Sequence, residues 1–260
     1  MKYFIGIIAT THLRNRIIPI LSTEEIYNSR IVIESSEPDP NLCLPNEQHE
    51  KLWINYISSI KRQLYCNAFL CEHRSFPPDS LRSGLLTHSL IHPTWMNYRP
   101  LSKSEISVYY KHLKLLSLLI QTEYEYALIL EDDCYLKPCY RKLVNKLFSE
   151  VSFDYLDLAD GLNLHYQACH NTIRLAHFNS SVYPAPWPST RTACAYLISK
   201  TMAMNIVNGQ FRHYVLPYDF MLNYAMTLAK PRPRIYWCDT PFFIHGSKSG
   251  IYTPSVSAKA

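Results

Sequence analysis

The feature that most constrains the fold of this chain is an apolar run that ends in three consecutive carboxylates. Residues 126–138 have the sequence YALILEDDCYLKP, and the carboxylates belong to Glu131, Asp132 and Asp133. A segment that is apolar on both faces is typical of a central strand in a sheet covered by helices. This segment therefore predicts an α/β protein in which a central strand ends in acidic side chains.

Strand and helix patterns alternate along the rest of the chain. Ser102 and Glu105 have the spacing of a capping box at the start of the clearest helix. The predicted strands cover 3–9, 30–35, 126–130, 155–158 and 193–198, and the predicted helices cover 47–64, 102–120, 139–148, 218–228 and a short stretch from Lys200. This alternation predicts a mostly parallel central sheet flanked by helices.

The length of the chain bounds its domain organisation. A chain of 260 residues can bury a sizeable core, and we predict one domain over residues 1–260. Several prolines make the segment near 72–100 irregular, and the tail near 240–260 is predicted to be loop-like.

The charge pattern excludes some classes of partner. The formal net charge is +5, but the basic residues form no dense tract, so we expect no nucleic-acid partner. Arg14 and Arg16 interrupt the N-terminal apolar run, which favours a first strand over a signal peptide. No segment approaches the roughly 20 apolar residues of a membrane helix. We expect a cytoplasmic protein, and leave open its oligomeric state and a peripheral contact with the inner face of a membrane.

The cysteine pattern predicts packing and no metal chemistry. The chain has 8 cysteines, which in a cytoplasmic protein are typically reduced thiols packed as small hydrophobic groups. There is no CxxC pair, and four residues separate the members of the pairs Cys66/Cys71 and Cys134/Cys139. This spacing argues against a zinc–thiolate site.

The three carboxylates at the end of the predicted strand need a positive partner. Two like charges about 4 Å apart repel by roughly 4 kcal/mol at an effective dielectric constant of 20. Mg²⁺ and Mn²⁺ prefer oxygen ligands, and open α/β sheets bind ligands beyond the carboxyl ends of their strands. In an extended chain Glu131 and Asp133 would share one side and Asp132 the other. The alternative is a solvated strand end, or acids paired with lysine or arginine.

The sequence around this strand resembles glycosyltransferase family 25, the lipooligosaccharide and collagen galactosyltransferase group. The resemblance is carried by residues 101–138, where Glu105 and His112 fill the Glu and His positions of the family pattern and EDD fills its acidic motif. The segments RTACAYLISKTMAMNIV, at 191–207, and LPYDFMLNYAM, at 216–226, are also similar to family segments. The resemblance covers roughly residues 100–250.

The resemblance implies a fold and an activity. It implies a Rossmann-like nucleotide-sugar-binding domain of the GT-A type, with Mn²⁺ or Mg²⁺ at the acidic motif. It also implies transfer of a sugar, often galactose, from a UDP-sugar to an oligosaccharide or glycolipid acceptor such as a lipooligosaccharide, with inversion. Two other classes fit the same acids: a metal-dependent phosphohydrolase, and a catalytically silent protein that binds a nucleotide or a sugar.

Candidate ligands of the donor come from the acidic motif and from the tail. We assign Asp133 to direct metal coordination with Glu131 beside it, and Asp132 to the ribose or sugar of the donor. In the tail, HGSKSG has the small residues of a phosphate-binding turn. His245 is a candidate metal ligand there, and the candidate phosphate contacts are Ser247 and Lys248.

The remaining candidates concern the base and the nucleotide. An inverting transfer needs a base for the acceptor hydroxyl, and we assign Asp219, with helix N-capping as its structural alternative and Asp160 as the other candidate base. Glu105 and His112 share one helix face, so both are candidates for the donor site, although Glu105 also fits the capping box and His112 also fits a buried structural role. Thr10 and Arg14 follow the first strand and are candidate nucleotide contacts.

Overall fold

The structure is a computed structural model. It describes residues 2–9, 30–38, 47, 50–55, 58, 100–136, 140–159, 173–174, 181–185, 190, 192–209, 214, 216–238 and 241–246. Apart from residue 100, the segment near 72–100 that was predicted to be irregular lies outside the described residues.

Strands and helices alternate as the sequence predicted, with several short strands in addition. The strands are β1 (Tyr3–Ile8), β2 (Ile31–Glu34), β3 (Tyr126–Glu131), β4 (Cys134–Leu136), β5 (Tyr155–Asp157), β6 (Ile173–Arg174), β7 (Ser181–Pro184), β8 (Ala195–Ser199), β9 (Ile235–Cys238) and β10 (Phe243–His245). The labelled helices are α1 (Lys103–Gln121), α2 (Tyr140–Glu150), α3 (Lys200–Asn208) and α4 (Tyr218–Leu228). Within the predicted helix at 47–64, residues 50–55 are helical.

The central sheet has eight strands in the order β2-β1-β3-β8-β5-β9-β7-β6. Strands β7 and β8 run opposite to the other six, so the sheet is mostly parallel in strand direction. This confirms the predicted α/β class and the mostly parallel sheet. Strand β3 lies between β1 and the reversed strand β8, as expected of a strand that is apolar on both faces.

Two apolar clusters cover the two faces of this sheet. Ala127 and Ile129 of β3 face the cluster formed with α1, α3 and α4, whereas Leu128 and Leu130 face the cluster that contains Val144 of α2. The side-chain period of a strand is two residues, so a strand that is buried on both faces must be apolar throughout. Both faces of β3 are therefore closed until the strand reaches Glu131.

Gly6 of β1 lies where β1 packs against β3 and α1. A Cβ atom at Gly6 would lie 2.9 Å from Cδ1 of Ile129 and 2.9 Å from Cδ1 of Leu115. We predict that Gly6→Ala lowers the free energy of unfolding by about 1–3 kcal/mol, because an extra methyl group overpacks a filled core. Urea unfolding measures this effect, with Ile33→Ala on the exposed part of β2 as a milder control. Unchanged stability of Gly6→Ala would contradict the packing described here.

The start of α1 is fixed by the predicted capping box. The backbone N–H of Glu105 donates to Oγ of Ser102 at 3.2 Å, and the backbone N–H of Ser102 donates to Oε2 of Glu105 at 2.8 Å. These bonds satisfy two backbone donors that a helix start leaves without partners. In the described part of the chain, no helix is long and apolar enough to cross a membrane.

A second sheet of two strands joins the acidic motif to the C-terminal tail. Strands β4 and β10 pair antiparallel, with Cys134 opposite His245 and Leu136 opposite Phe243. The backbone N–H of Gly246 also donates to the carbonyl of Asp133 at 2.8 Å. The tail that was predicted to be loop-like therefore begins with a strand, and this strand brings His245 beside the acidic motif.

Candidate active site

The three carboxylates lie where β3 ends and a turn leads into β4. Glu131 is the last residue of β3, and residues 132 and 133 form the turn. The alternation expected of an extended chain is therefore wrong at this point. Glu131 contacts His112 on the α1 side of the sheet, whereas Asp133 contacts Cys194 and His245.

Glu131 is held by a histidine that is fully buried. Nε2 of His112 lies 3.2 Å from Oε1 of Glu131, and Nδ1 of His112 lies 2.8 Å from the hydroxyl of Tyr196. That hydroxyl is 2.9 Å from the hydroxyl of Tyr218, whose ring stacks on His112 with centroids 3.7 Å apart. Three buried aromatic side chains thus fix the position of one carboxylate.

The protonation state of His112 follows from its burial. Burial lowers the pKa of His112 well below its usual value of 6.5, so the ring is neutral at neutral pH. A neutral imidazole donates one hydrogen bond and accepts another. When Glu131 is ionised it only accepts, so Nε2 of His112 donates to Glu131 and Nδ1 accepts from Tyr196. The ring then has a partner on both nitrogens.

The charge on Glu131 is costly in this position. Burial, followed by the charge of Asp133, raises the pKa of Glu131 to about 8, and His245 acts in the opposite direction. The side chain of Glu131 nevertheless keeps 22% of its surface exposed, so it faces solvent beside the turn. A positive charge placed at this turn would therefore stabilise the ionised carboxylate.

Asp133 and His245 form the part of the site that can hold a cation. Nδ1 of His245 lies 3.4 Å from Oδ2 of Asp133, and their side chains are 23% and 9% exposed. Together with Sγ of Cys194, these groups offer one ligand atom each, and the three atoms lie within 4.8 Å of one another. Carboxylate oxygen, imidazole nitrogen and sulfur are all ligands of divalent cations, so the donor set fits such an ion.

Cys194 of this group contacts a second cysteine, Cys134. The sulfur atoms of Cys134 and Cys194 are 3.3 Å apart, and both residues are free and buried. Burial raises the pKa of Cys134, and the contact with Cys134 together with burial raises the pKa of Cys194. Both side chains are therefore thiols at neutral pH, as predicted for cysteines that pack as small hydrophobic groups.

Asp219 lies in the first turn of α4, next to Tyr218. Burial, together with the charges of Glu131 and Glu105, raises the pKa of Asp219 to about 6, and the backbone N–H of Phe220 opposes this shift. The N-cap position of α4 is Pro217, which has no side-chain cap. Asp219 is therefore not the N-cap residue itself, but its carboxylate accepts a hydrogen bond of 2.9 Å from the backbone N–H of Phe220 in the same first turn. Asp219 also shares the electrostatic surroundings of Glu131.

Of the remaining sequence candidates, two lie within the described residues. Glu105 forms the capping box of α1, and its charge reaches Asp219. Asp132 is buried in the turn after β3. Five candidates lie outside the described residues: Thr10, Arg14, Asp160, Ser247 and Lys248.

Sequence reasoning missed three residues that the fold brings to the acidic turn. Tyr196 lies in a strand whose five residues are all buried, and a buried tyrosine hydroxyl usually needs a partner, which is a usable signal. Tyr218 directly precedes the candidate Asp219, but nothing in the sequence links it to His112. Cys194 belongs to no spaced cysteine motif, and only the pairing of β3 with β8 brings it to Asp133.

Much of the sequence that forms this site matches a family model. The sequence model of glycosyltransferase family 25 (LPS biosynthesis protein) matches residues 88–222, just over half of the chain. The matched region contains α1, β3, the acidic turn, β8 and the start of α4. The chain therefore belongs to glycosyltransferase family 25, and it is a glycosyltransferase of lipopolysaccharide biosynthesis. Such an enzyme takes a sugar donor and a glycan acceptor. No curated protein matches the chain.

Proposed function

We propose that this glycosyltransferase is metal-dependent and transfers a hexose, galactose in particular, from a UDP-sugar to a lipooligosaccharide with inversion. The observation that carries the proposal is the contact between Asp133 and His245 just beyond the end of the central strand β3. Ligands of open α/β sheets bind beyond the carboxyl ends of strands, and a GT-A type of Rossmann-like domain is consistent with this position. Family membership favours sugar transfer over the phosphohydrolase and the silent binding protein.

The acidic turn would hold the diphosphate end of the donor. Asp133 and His245 are the residues that would bind Mn²⁺ or Mg²⁺, with Glu131 close enough to add its charge. When bound, the cation supplies positive charge to the diphosphate that leaves with the nucleotide. His112 is fully buried, so its contribution to the donor site acts through Glu131, which it holds by a hydrogen bond.

We assign further donor contacts to residues around this turn. Asp132 lies in the turn itself, and Glu105 lies within electrostatic reach of the same region. Four candidates outside the described residues complete the proposed donor site: Thr10, Arg14, Ser247 and Lys248.

The proposed base is Asp219. A carboxylate with a pKa of about 6 is largely ionised at neutral pH, yet it is basic enough to accept the proton of an acceptor hydroxyl as the hydroxyl attacks. The influence of Glu131 on this pKa supports a position near the donor. Asp160 remains the alternative base.

We predict an acid limb in the pH–rate profile that belongs to Asp219. Because the ionised carboxylate is the active form, kcat/KM rises as pH increases through about 6 and is level above that value. Asp219→Asn is expected to lower kcat by about 100-fold or more and to remove this limb. Asp154→Asn, a substitution in an exposed ion pair with Arg234, is the matched control. An Asp219→Asn enzyme that keeps both its rate and its acid limb would assign the base elsewhere.

Two products, UDP and inorganic phosphate, distinguish the proposed sugar transfer from phosphate hydrolysis. With Mn²⁺ and UDP-galactose, release of UDP should depend on an added lipooligosaccharide acceptor. Release of inorganic phosphate without an acceptor would instead indicate a phosphohydrolase.

A thermal-shift panel of UDP, GDP and CMP sugars, with and without Mn²⁺, identifies the nucleotide, because a selective ligand raises the apparent stability by mass action. We expect the largest shift with a UDP-sugar and Mn²⁺ together.

We further propose that the chain forms one catalytic domain that works in the cytoplasm. The support for a single domain is the continuous central sheet, which joins β1 near the start of the chain to β9 at Ile235–Cys238. A peripheral contact with the inner face of the membrane would bring the domain to a glycolipid acceptor.

A further inference from the structure

We propose that Cys194 is a ligand of the cation at the acidic turn, and that its sulfur makes this site prefer thiophilic divalent cations over Mg²⁺. The inference rests on the proposed function, because it concerns the cation that Asp133 and His245 would hold. It differs from the sequence-based expectation in two respects. The cysteine spacing predicted no metal–thiolate chemistry, and the acidic motif together with His245 of the tail predicted a cation held by oxygen and nitrogen.

The distances among the three side chains support a shared ion. Sγ of Cys194 lies 3.8 Å from Oδ1 of Asp133, and Nδ1 of His245 lies 3.4 Å from Oδ2 of Asp133. All three ligand atoms fall within 4.8 Å of one another. Two ligands at normal zinc–sulfur and zinc–oxygen bond lengths are about 3.5 Å apart around a tetrahedral ion. The three side chains therefore need only small movements to bind one cation.

The backbone fastens all three ligands to the same turn. The carbonyl of Cys194 accepts a hydrogen bond of 2.8 Å from the N–H of Glu131. His245 is placed by the pairing of β4 with β10, in which it lies opposite Cys134. The N–H of Gly246 adds a bond to the carbonyl of Asp133. Ligands that are held by paired strands and turns form a preorganised site.

The burial of Cys194 fits a ligand role better than a reactive role. The side chain is fully buried, so it is not available to solvent oxidants or large electrophiles. The side chain of His245 is 23% exposed, so the group of three ligands reaches solvent through His245. On ligation the S–H bond breaks, the proton passes to solvent, and a sulfur–metal bond forms without any change of oxidation state.

The sulfur ligand determines which ions the site prefers. Mg²⁺ prefers oxygen ligands, whereas zinc and cobalt ions bind sulfur as well as nitrogen and oxygen. The general order of stability also ranks Zn²⁺ and Co²⁺ above Mn²⁺ at most sites. The informative quantity is therefore the change in the Co²⁺-to-Mg²⁺ affinity ratio when the sulfur is removed.

Cobalt substitution tests this inference directly. We would treat the full-length, tag-free protein with a chelator and titrate it with Co²⁺ under anaerobic conditions, recording the near-ultraviolet band of sulfur-to-cobalt charge transfer. The wild type should show the band, and Cys194→Ser and Cys194→Ala should lack it. Both variants should bind Co²⁺ at least about 10- to 100-fold more weakly, while Mg²⁺ affinity changes much less.

Cys134→Ala is the matched control, because its sulfur lies 3.3 Å from that of Cys194 but is not one of the three candidate ligands. This variant should keep the charge-transfer band. Circular dichroism checks that each variant is folded, and Cys194→Ser keeps the size of the side chain if Cys194→Ala does not fold.

Three outcomes would overturn the inference. If calorimetry detects Co²⁺ binding to the wild type without a charge-transfer band, sulfur is not a ligand, and the proposed function stands. A band that persists in the folded Cys194 variants leads to the same conclusion. If the wild type binds no divalent cation, with or without UDP, then both the sulfur ligand and the metal-dependent function are wrong.

Discussion

Asp133→Ala is expected to abolish sugar transfer while the protein stays folded. The substitution removes the carboxylate that lies 3.4 Å from His245 and 3.8 Å from the sulfur of Cys194, so the candidate cation site loses its carboxylate ligand. Removal of one group that stabilises charge in a transition state costs roughly 100- to 1000-fold in kcat. Initial rates of UDP release with saturating donor and acceptor measure the loss.

Stability should change little in this variant, or should rise. Asp133 raises the pKa of Glu131, so without a bound cation the two acids oppose each other. Asp154→Ala is the matched control. Asp154 precedes β5 at the edge of the sheet opposite the acidic turn, and it pairs with the exposed Arg234. Exposed ion pairs contribute about 0–1 kcal/mol, and this control should keep normal turnover. Full activity of Asp133→Ala would remove the acidic turn from the mechanism.

His112→Phe is expected to impair both stability and turnover. The substitution keeps a ring that can pack against Tyr218, but it deprives Glu131 and the hydroxyl of Tyr196 of their hydrogen bonds to the imidazole. A buried polar group left without its partner costs about 1–3 kcal/mol, so the free energy of unfolding should fall by at least that amount. Turnover should fall by about 10- to 100-fold, the loss typical of removing an outer partner of a metal site.

Tyr196→Phe separates the effect of the Tyr196 hydroxyl from the effect of the bond between His112 and Glu131. It removes the hydroxyl that joins Tyr218 to His112 but leaves the bond between His112 and Glu131 in place. We expect it to lower stability, measured by urea unfolding, and to lower turnover less than His112→Phe does. Equal turnover losses in the two variants would mean that the bond to Glu131 has no separate role.

The sequence predicted those elements whose pattern is local. The capping box of α1 and the unbroken apolar run of β3 depend on neighbouring residues, and both agree with the structure. Helix α4 was predicted with the bounds Tyr218–Leu228 that it has. Strand direction is not local, so the reversed course of β8 between β3 and β5 could not be predicted. Strands such as β6, with two residues, are too short to show any periodicity.

The candidate site also contains residues that the sequence predicted and residues that it did not. The acidic motif was found because an apolar run that ends in three carboxylates is a local pattern, and His112 was found because it occupies a position of the family pattern. Tyr196 meets His112 across 84 residues of sequence, and Cys194 meets Asp133 across 61. Contacts at such separations arise from the pairing of β3 with β8 and from the packing of α1 against the sheet, which no sequence spacing reveals. The expected alternation of the three acids was wrong because the chain turns immediately after Glu131.

Calorimetric titration of UDP into chelator-treated protein, with and without Mn²⁺, tests the central claim most directly. The claim is that the acidic turn binds the diphosphate of the donor through a divalent cation held by Asp133 and His245. The predicted result is binding of UDP to the wild type only when Mn²⁺ is present, and no binding to Asp133→Ala under either condition. UDP that binds equally well without a cation, or binds Asp133→Ala as tightly as the wild type, would contradict the claim.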